Sequence, residues 1–209
     1  EFNAGQTILA YDEFIELAVA DSIDISDVSV ELYSTEGLYA IVQGNEFTSS
    51  GDMQGGMRIW SKDWQEDFLR NENAAIAVVH DGEVAGNGNE RQFLSYEVPP
   101  GSDFLAIGGT ANGMHADEID IELHNAIVGT SLGLIGSGSY YSDFSWAEFE
   151  VNSMDSVNDN QAIVGLEEAD VCIEVSETAC ELLEGEFQGK GILCGSVPCG
   201  AEIIRGSCC

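Results

Sequence analysis

Positive charge is almost missing from this chain: six Lys and Arg stand against 38 Asp and Glu, a formal net charge of -32. Phosphate recognition runs on Lys and Arg, so nucleic acid is excluded as a partner. The same shortage, with no basic amphipathic stretch, argues against docking on an anionic membrane. No long apolar run is present, so helical membrane insertion is not expected. The chain also lacks a nucleotide fingerprint: the Gly-rich Gly133–Gly138 carries no Lys for a phosphate. Its three histidines, His80, His115 and His124, show no metal-ligand spacing. Cysteine is absent before residue 172.

What is there is a chain that can fold. With 44% hydrophobic residues it can bury a core in spite of its charge. The self-repulsion of that charge has to be screened, so the natural setting is saline or rich in divalent cations, Ca²⁺ among them. The start at Glu1-Phe2, without methionine or an apolar leader, is what a processed secreted protein would show. The expected location is extracellular or on the cell surface.

From residue 7 to about 165 the pattern is period-two alternation broken by turns. Ile15, Leu17 and Val19 fall on one face with Glu16 on the other; Val28, Val30 and Leu32 alternate with Ser29, Glu31 and Tyr33. Ile119, Ile121 and Leu123 alternate with acids, and Ala147, Phe149 and Val151 alternate with Glu148, Glu150 and Asn152. One apolar and one charged face marks antiparallel strands with a wet side. Further strands are expected near Leu38–Val42, Ala75–His80, Phe93–Val98, Phe104–Ile107 and Leu132–Ile135. Turn signals at Asp81-Gly82, Asn87-Gly88, Pro99-Pro100-Gly101 and Asn112-Gly113 suit an all-β sandwich. The expected fold is a mostly β, antiparallel sandwich of the immunoglobulin or jelly-roll kind, over 1–165. One inserted helix is expected at about 62–70, capped by Ser61 with Trp64 and Phe68 one turn apart. Residues 44–58 read as a long loop.

A second unit is expected over 166–209, where Cys172, Cys180, Cys194, Cys199, Cys208 and Cys209 crowd together. An even count in a short segment without a CxxC pair favours disulfides over zinc, with every pairing left open. Ser176 is placed to cap a short helix over Glu177–Glu184, ended by Gly185.

Three resemblances follow. The run from Ser176-Glu177-Thr178-Ala179-Cys180 through Phe187-Gln188-Gly189, Cys194 and Pro198-Cys199 resembles a cysteine-rich module of large secreted proteins of planctomycete-type bacteria. It departs from that module in carrying its Cys-Cys pair at 208–209 and not ahead of Cys172. The front portion is similar to lamin-tail-type immunoglobulin-like domains through Asp12-Glu13-Phe14-Ile15-Glu16-Leu17, Ile23-Asp24-Ile25-Ser26-Asp27 and Val30-Glu31-Leu32-Tyr33. Gly101–Gly108 resembles that domain's edge strand. Such domains are generally non-catalytic, so these likenesses imply an adhesive or scaffold role. Glu118-Ile119-Asp120-Ile121-Glu122 resembles the acidic strand of family-16-type glycoside hydrolases. That likeness implies Glu118 as nucleophile, Asp120 as helper and Glu122 as acid/base. Set against it is a plain wet strand face, the reading preferred here.

Two oxygen-rich loops suit Ca²⁺: Asp155, Asn158 and Asp159 with Asn160, and Asp21, Asp24 and Asp27. Neither has EF-hand spacing, and ordinary turn chemistry explains both. The sequence therefore points to a secreted structural or adhesive protein, a subunit of a filament or surface layer, and not to an enzyme. Its expected partners are further copies of itself, divalent cations and glycans. The alternatives are a polysaccharide-acting hydrolase and a calcium- or carbohydrate-binding module.

Overall fold

Alternation of apolar and polar side chains pairs into two stacked sheets. The computed structural model describes residues 2–3, 13–64, 68–70, 72–86, 91–99, 103–121 and 130–165. The chain divides after Gly165 into units Glu1–Gly165 and Leu166–Cys209, and all described residues belong to the first. The six cysteines, the helix expected at Glu177–Glu184, Glu122 and His124 lie outside the described residues.

The strands are β1 (Phe2–Asn3), β2 (Glu13–Ala20), β3 (Val28–Ser34), β4 (Gly37–Gln43), β5 (Met53–Gln54), β6 (Met57–Trp64) and β7 (Ala74–His80). They continue with β8 (Glu83–Val84), β9 (Phe93–Tyr96), β10 (Asp117–Glu118), β11 (Ser131–Gly138), β12 (Phe144–Phe149) and β13 (Gln161–Ile163). A seven-stranded sheet runs β12-β11-β1-β2-β6-β5, with β13 also on β11; a six-stranded sheet runs β10-β9-β7-β3-β4, with β8 on β7. Pairing is antiparallel except for β9 with β10 and β11 with β13. The protein is a mostly β sandwich, as the alternation implies.

Inner faces of the two sheets meet in one core. Phe2, Ile15 and Leu132 of the first sheet pack with Val30, Leu32, Ile76 and Tyr96 of the second. Phe2 anchors the middle, its ring 4.8 Å from that of Tyr96 and 5.8 Å from that of Trp146.

A second apolar layer lies outside the β3–β7–β9 face, where a wet surface was expected. Tyr33, Ala75, Ala77 and Phe93 of that face are covered by Val98, Phe104, Ala106 and Ala111. The strand expected at Phe104–Ile107 is this cover: it makes one isolated bridge, Leu105 with His115, and hangs on backbone bonds such as Leu38 N–H to Ile107 O, 2.9 Å. Cover and sheet are joined through Glu31. Its carboxylate accepts Thr110 N–H at 2.8 Å, Thr110 Oγ1–H at 2.7 Å and the Tyr33 hydroxyl. Tyr33 in turn accepts Ala111 N–H, 3.2 Å. Gly109, at φ +63, permits this approach, because a side-chain carbon there would overlap both the Tyr33 hydroxyl and the Glu31 carboxylate.

The assignment of Glu16 and Glu31 to wet faces is therefore corrected: they are 8% and 4% exposed. A charge loses its hydration on burial and stays ionised only where donors replace the water. Glu16 accepts Asp155 N–H at 2.7 Å. Glu13, 1% exposed, accepts Phe68 N–H at 2.6 Å and Leu69 N–H at 2.9 Å.

The helix expected over 62–70 is likewise corrected, since residues 62–64 belong to β6. Eight successive partners, from Glu13 with Trp64 to Ala20 with Met57, lock that strand against β2. Such a ladder outweighs a single i, i+4 aromatic pair as a local signal. Trp64 and Phe68 still stack, ring centroids 4.7 Å apart, with Trp64 in a strand. Helical structure among the described residues is confined to 3₁₀ turns at Ile25–Asp27, Gly44–Glu46 and Tyr141–Asp143. The expected loop at 44–58 contains the second of these turns, β5 and the start of β6.

Replacing Glu31 by Ala strands the Thr110 and Tyr33 donors in a dry layer. The expected cost is about 3 kcal/mol in urea unfolding, with faster amide exchange at Thr110 and Ala111 than elsewhere. A second expectation concerns alkali. Burial, then the hydrogen bond to Glu31, raises the Tyr33 phenol above its usual value; burial does the same to Tyr96, aided by Tyr39, Glu13 and Glu97. A phenol whose folded-state pKa is raised contributes stability that is whole below the unfolded value, about 10, and lost as pH climbs above it. Native near-ultraviolet dichroism should therefore fall above pH about 10, and the phenolate absorbance of these two tyrosines should appear only with that loss.

Candidate functional site

Between the sheets the core does not close completely. A cavity of about 640 Å³ lies there. One wall comes from Ile15, Leu17 and Val19 of β2, the other from Ile76 and Val78 of β7 and Leu94 of β9. These are inward positions of their strands, where period-two alternation puts aliphatic side chains. Trp146 of β12 and Tyr141 close part of the side, joined by an indole N–H to hydroxyl bond of 2.9 Å. Burial raises the Tyr141 phenol above its usual range. The exposed lining residues Glu83, Gly86 and Tyr140, with half-buried His80 and Gln92, mark the opening.

The carboxylates of Glu118 and Asp120 do not face this space. Glu118 and Asp120 are exposed, while Ile119 between them is buried in the inter-sheet core and lines the cavity. Alternation across this stretch is as the sequence implies, although only Asp117 and Glu118 are laddered, in parallel with Leu94 and Ser95. Acid/base work on a glycosidic bond needs carboxylates flanking a cleft, and the wall of this cavity takes its residue from Ile119 instead.

Both oxygen-rich loops are tied to the protein's own donors. In the first, the Asp155 side chain accepts the Ser61 hydroxyl and its N–H goes to Glu16. Asn158 is 5% exposed; it accepts Ser153 Oγ–H at 3.0 Å and donates to Leu134 O at 3.1 Å. Asp159 is exposed. This loop seals the outer side of the first sheet, helped by Val157 N–H to Asp52 Oδ2, 3.2 Å. In the second, Asp21 holds Arg58 through two N–H bonds of 2.9 and 2.6 Å. Asp24 caps the Ile25–Asp27 turn, and the bonds it accepts from Ser26 lower its pKa. His115 Nδ1 lies 2.5 Å from Asp103 Oδ1 on the surface. Among the described residues no group of three or more His, Cys, Asp or Glu is arranged to hold a metal.

Sequence reading treated the cavity wall as ordinary core. Its residues carry no signal of their own, because a filled layer and an open one use the same Leu, Ile and Val. Comparison with protein-family models, curated proteins and solved structures finds no match for the chain.

Asn158 serves as a bridge between Ser153 and the β11 carbonyl, so Asn158→Ala is expected to cost about 2 kcal/mol. The cost should be equal with excess calcium and with chelator. A thermal-shift series showing the loss only with calcium would make Asn158 a ligand instead.

Proposed function

We propose that this protein is a non-catalytic extracellular structural or adhesive unit, a self-assembling subunit of a filament or surface layer. The observation that supports this most directly is how its acids divide. Glu13, Glu16 and Glu31 are buried as acceptors that fasten distant segments to the sheets. Glu118, Asp120 and Asp159 are on the open surface. Buried acids thus serve rigidity, and surface acids coat a stiff β scaffold with negative charge.

Such a coat keeps copies apart in dilute buffer and lets them meet once counterions or bridging divalent cations neutralise it. The presence of an exposed acidic face beside a rigid core favours an assembly switched by ions over one held by apolar contact alone. Glycans of a cell exterior are the other partner class this surface suits.

Sedimentation velocity and electron microscopy on the full chain test the proposal. Monomers are expected at low ionic strength with chelator, and ordered polymers or sheets with millimolar calcium, reversed on chelation. A protein that stays monomeric at high concentration in both conditions, and in high monovalent salt, overturns it.

A further inference from the structure

Protein interiors pack as tightly as organic crystals, with few voids larger than a water molecule. The space of about 640 Å³ here is not such a void, because it opens to solvent past Glu83, Gly86 and Tyr140. It falls within the range, about 300–1,000 Å³, of cavities that enclose small molecules. We infer that this cavity is a binding site for one uncharged, lipid-like molecule, a hydrocarbon body bearing a hydroxyl or carbonyl oxygen. This goes beyond the structural role and does not depend on it.

Wall chemistry sets the body of the ligand. Leu17, Val19, Ile76, Val78 and Leu94 offer aliphatic surface. Charge sets its neutrality. Among the described residues no Lys or Arg lines the cavity, Glu16 and Glu83 do, and the chain carries -32 in all. A carboxylate or phosphate entering there would meet repulsion with no cation to answer it. The polar atom of the ligand belongs at the opening, beside His80, Gln92 and Tyr140.

The test is titration of the full chain with neutral N-phenyl-naphthylamine, read by probe emission and by energy transfer from Trp146, which lines the cavity. Saturable one-to-one binding is expected, displaced by dodecanol and at least about tenfold less well by dodecanoate at neutral pH. Filling the space with Val78→Phe should weaken the probe about tenfold or more while the melting temperature holds or rises. Val19→Phe serves the same purpose from the opposite wall should the first variant not fold. Absence of saturable binding by the wild type, or unchanged affinity in a folded filled variant, overturns the site. Equal displacement by dodecanoate overturns its neutrality.

Discussion

A carboxylate that has lost its water must find donors, and in this sandwich those donors lie far along the chain. Glu31 reaches Thr110, Glu13 reaches Phe68 and Leu69, and Glu16 reaches Asp155. Each bond is charge-assisted and made to a backbone N–H, so it fixes a segment's position and not merely a side chain. The covers on both outer faces depend on these contacts. Without Glu31 the 103–116 segment would keep its apolar residues, a few backbone bonds and the bond from Ala111 N–H to Tyr33 to hold it on the sheet. Burying three charges is costly in itself, and the gain is in specificity: a loop held by a carboxylate has one seat.

The covers in turn decide how the strands are used. β3 and β7 are buried on both faces, the inner against the first sheet and the outer against Phe104, Ala106 and Ala111. Ala75 and Ala77 leave room for that layer, and Phe93 fills it, its ring 5.5 Å from Tyr33 and 6.3 Å from Phe104. Close backbone approach elsewhere has the same origin. Gly44 sits against the carbonyls of Ile25 and Val28, where any side chain would overlap them.

Strand positions were legible because apolar residues recur at period two in β2 and β3, whatever covers the other face. Which faces are wet was not. Glu31 in a run of alternating residues reads the same whether water or Thr110 waits for it, and Thr110 is 79 residues away. The Trp64–Phe68 pair was read as a helical turn because stacking at that spacing is common in helices; eight cross-strand partners with β2 were invisible locally. In the acidic stretch the alternation around Ile119 was legible, and with it the outward aim of Glu118 and Asp120. The cavity was illegible for a different reason: it is set by the spacing of two sheets, and no single residue encodes that.

Rigidity and negative charge are linked in this fold by the choice of glutamate for its clamps. An amide in place of Glu31 could accept the same bonds, but it would bring two donors of its own into a layer where Thr110 and Tyr33 already supply them. The carboxylate only accepts, so its oxygens can be fully met by donors and nothing is left over. That advantage holds for a chain whose surroundings tolerate one more negative charge. Here the outer acids make the potential more negative everywhere, and counterions at the surface relieve it. The same ions that would let copies approach one another therefore also steady the interior of each copy. Screening should tighten the 103–116 and 153–158 covers.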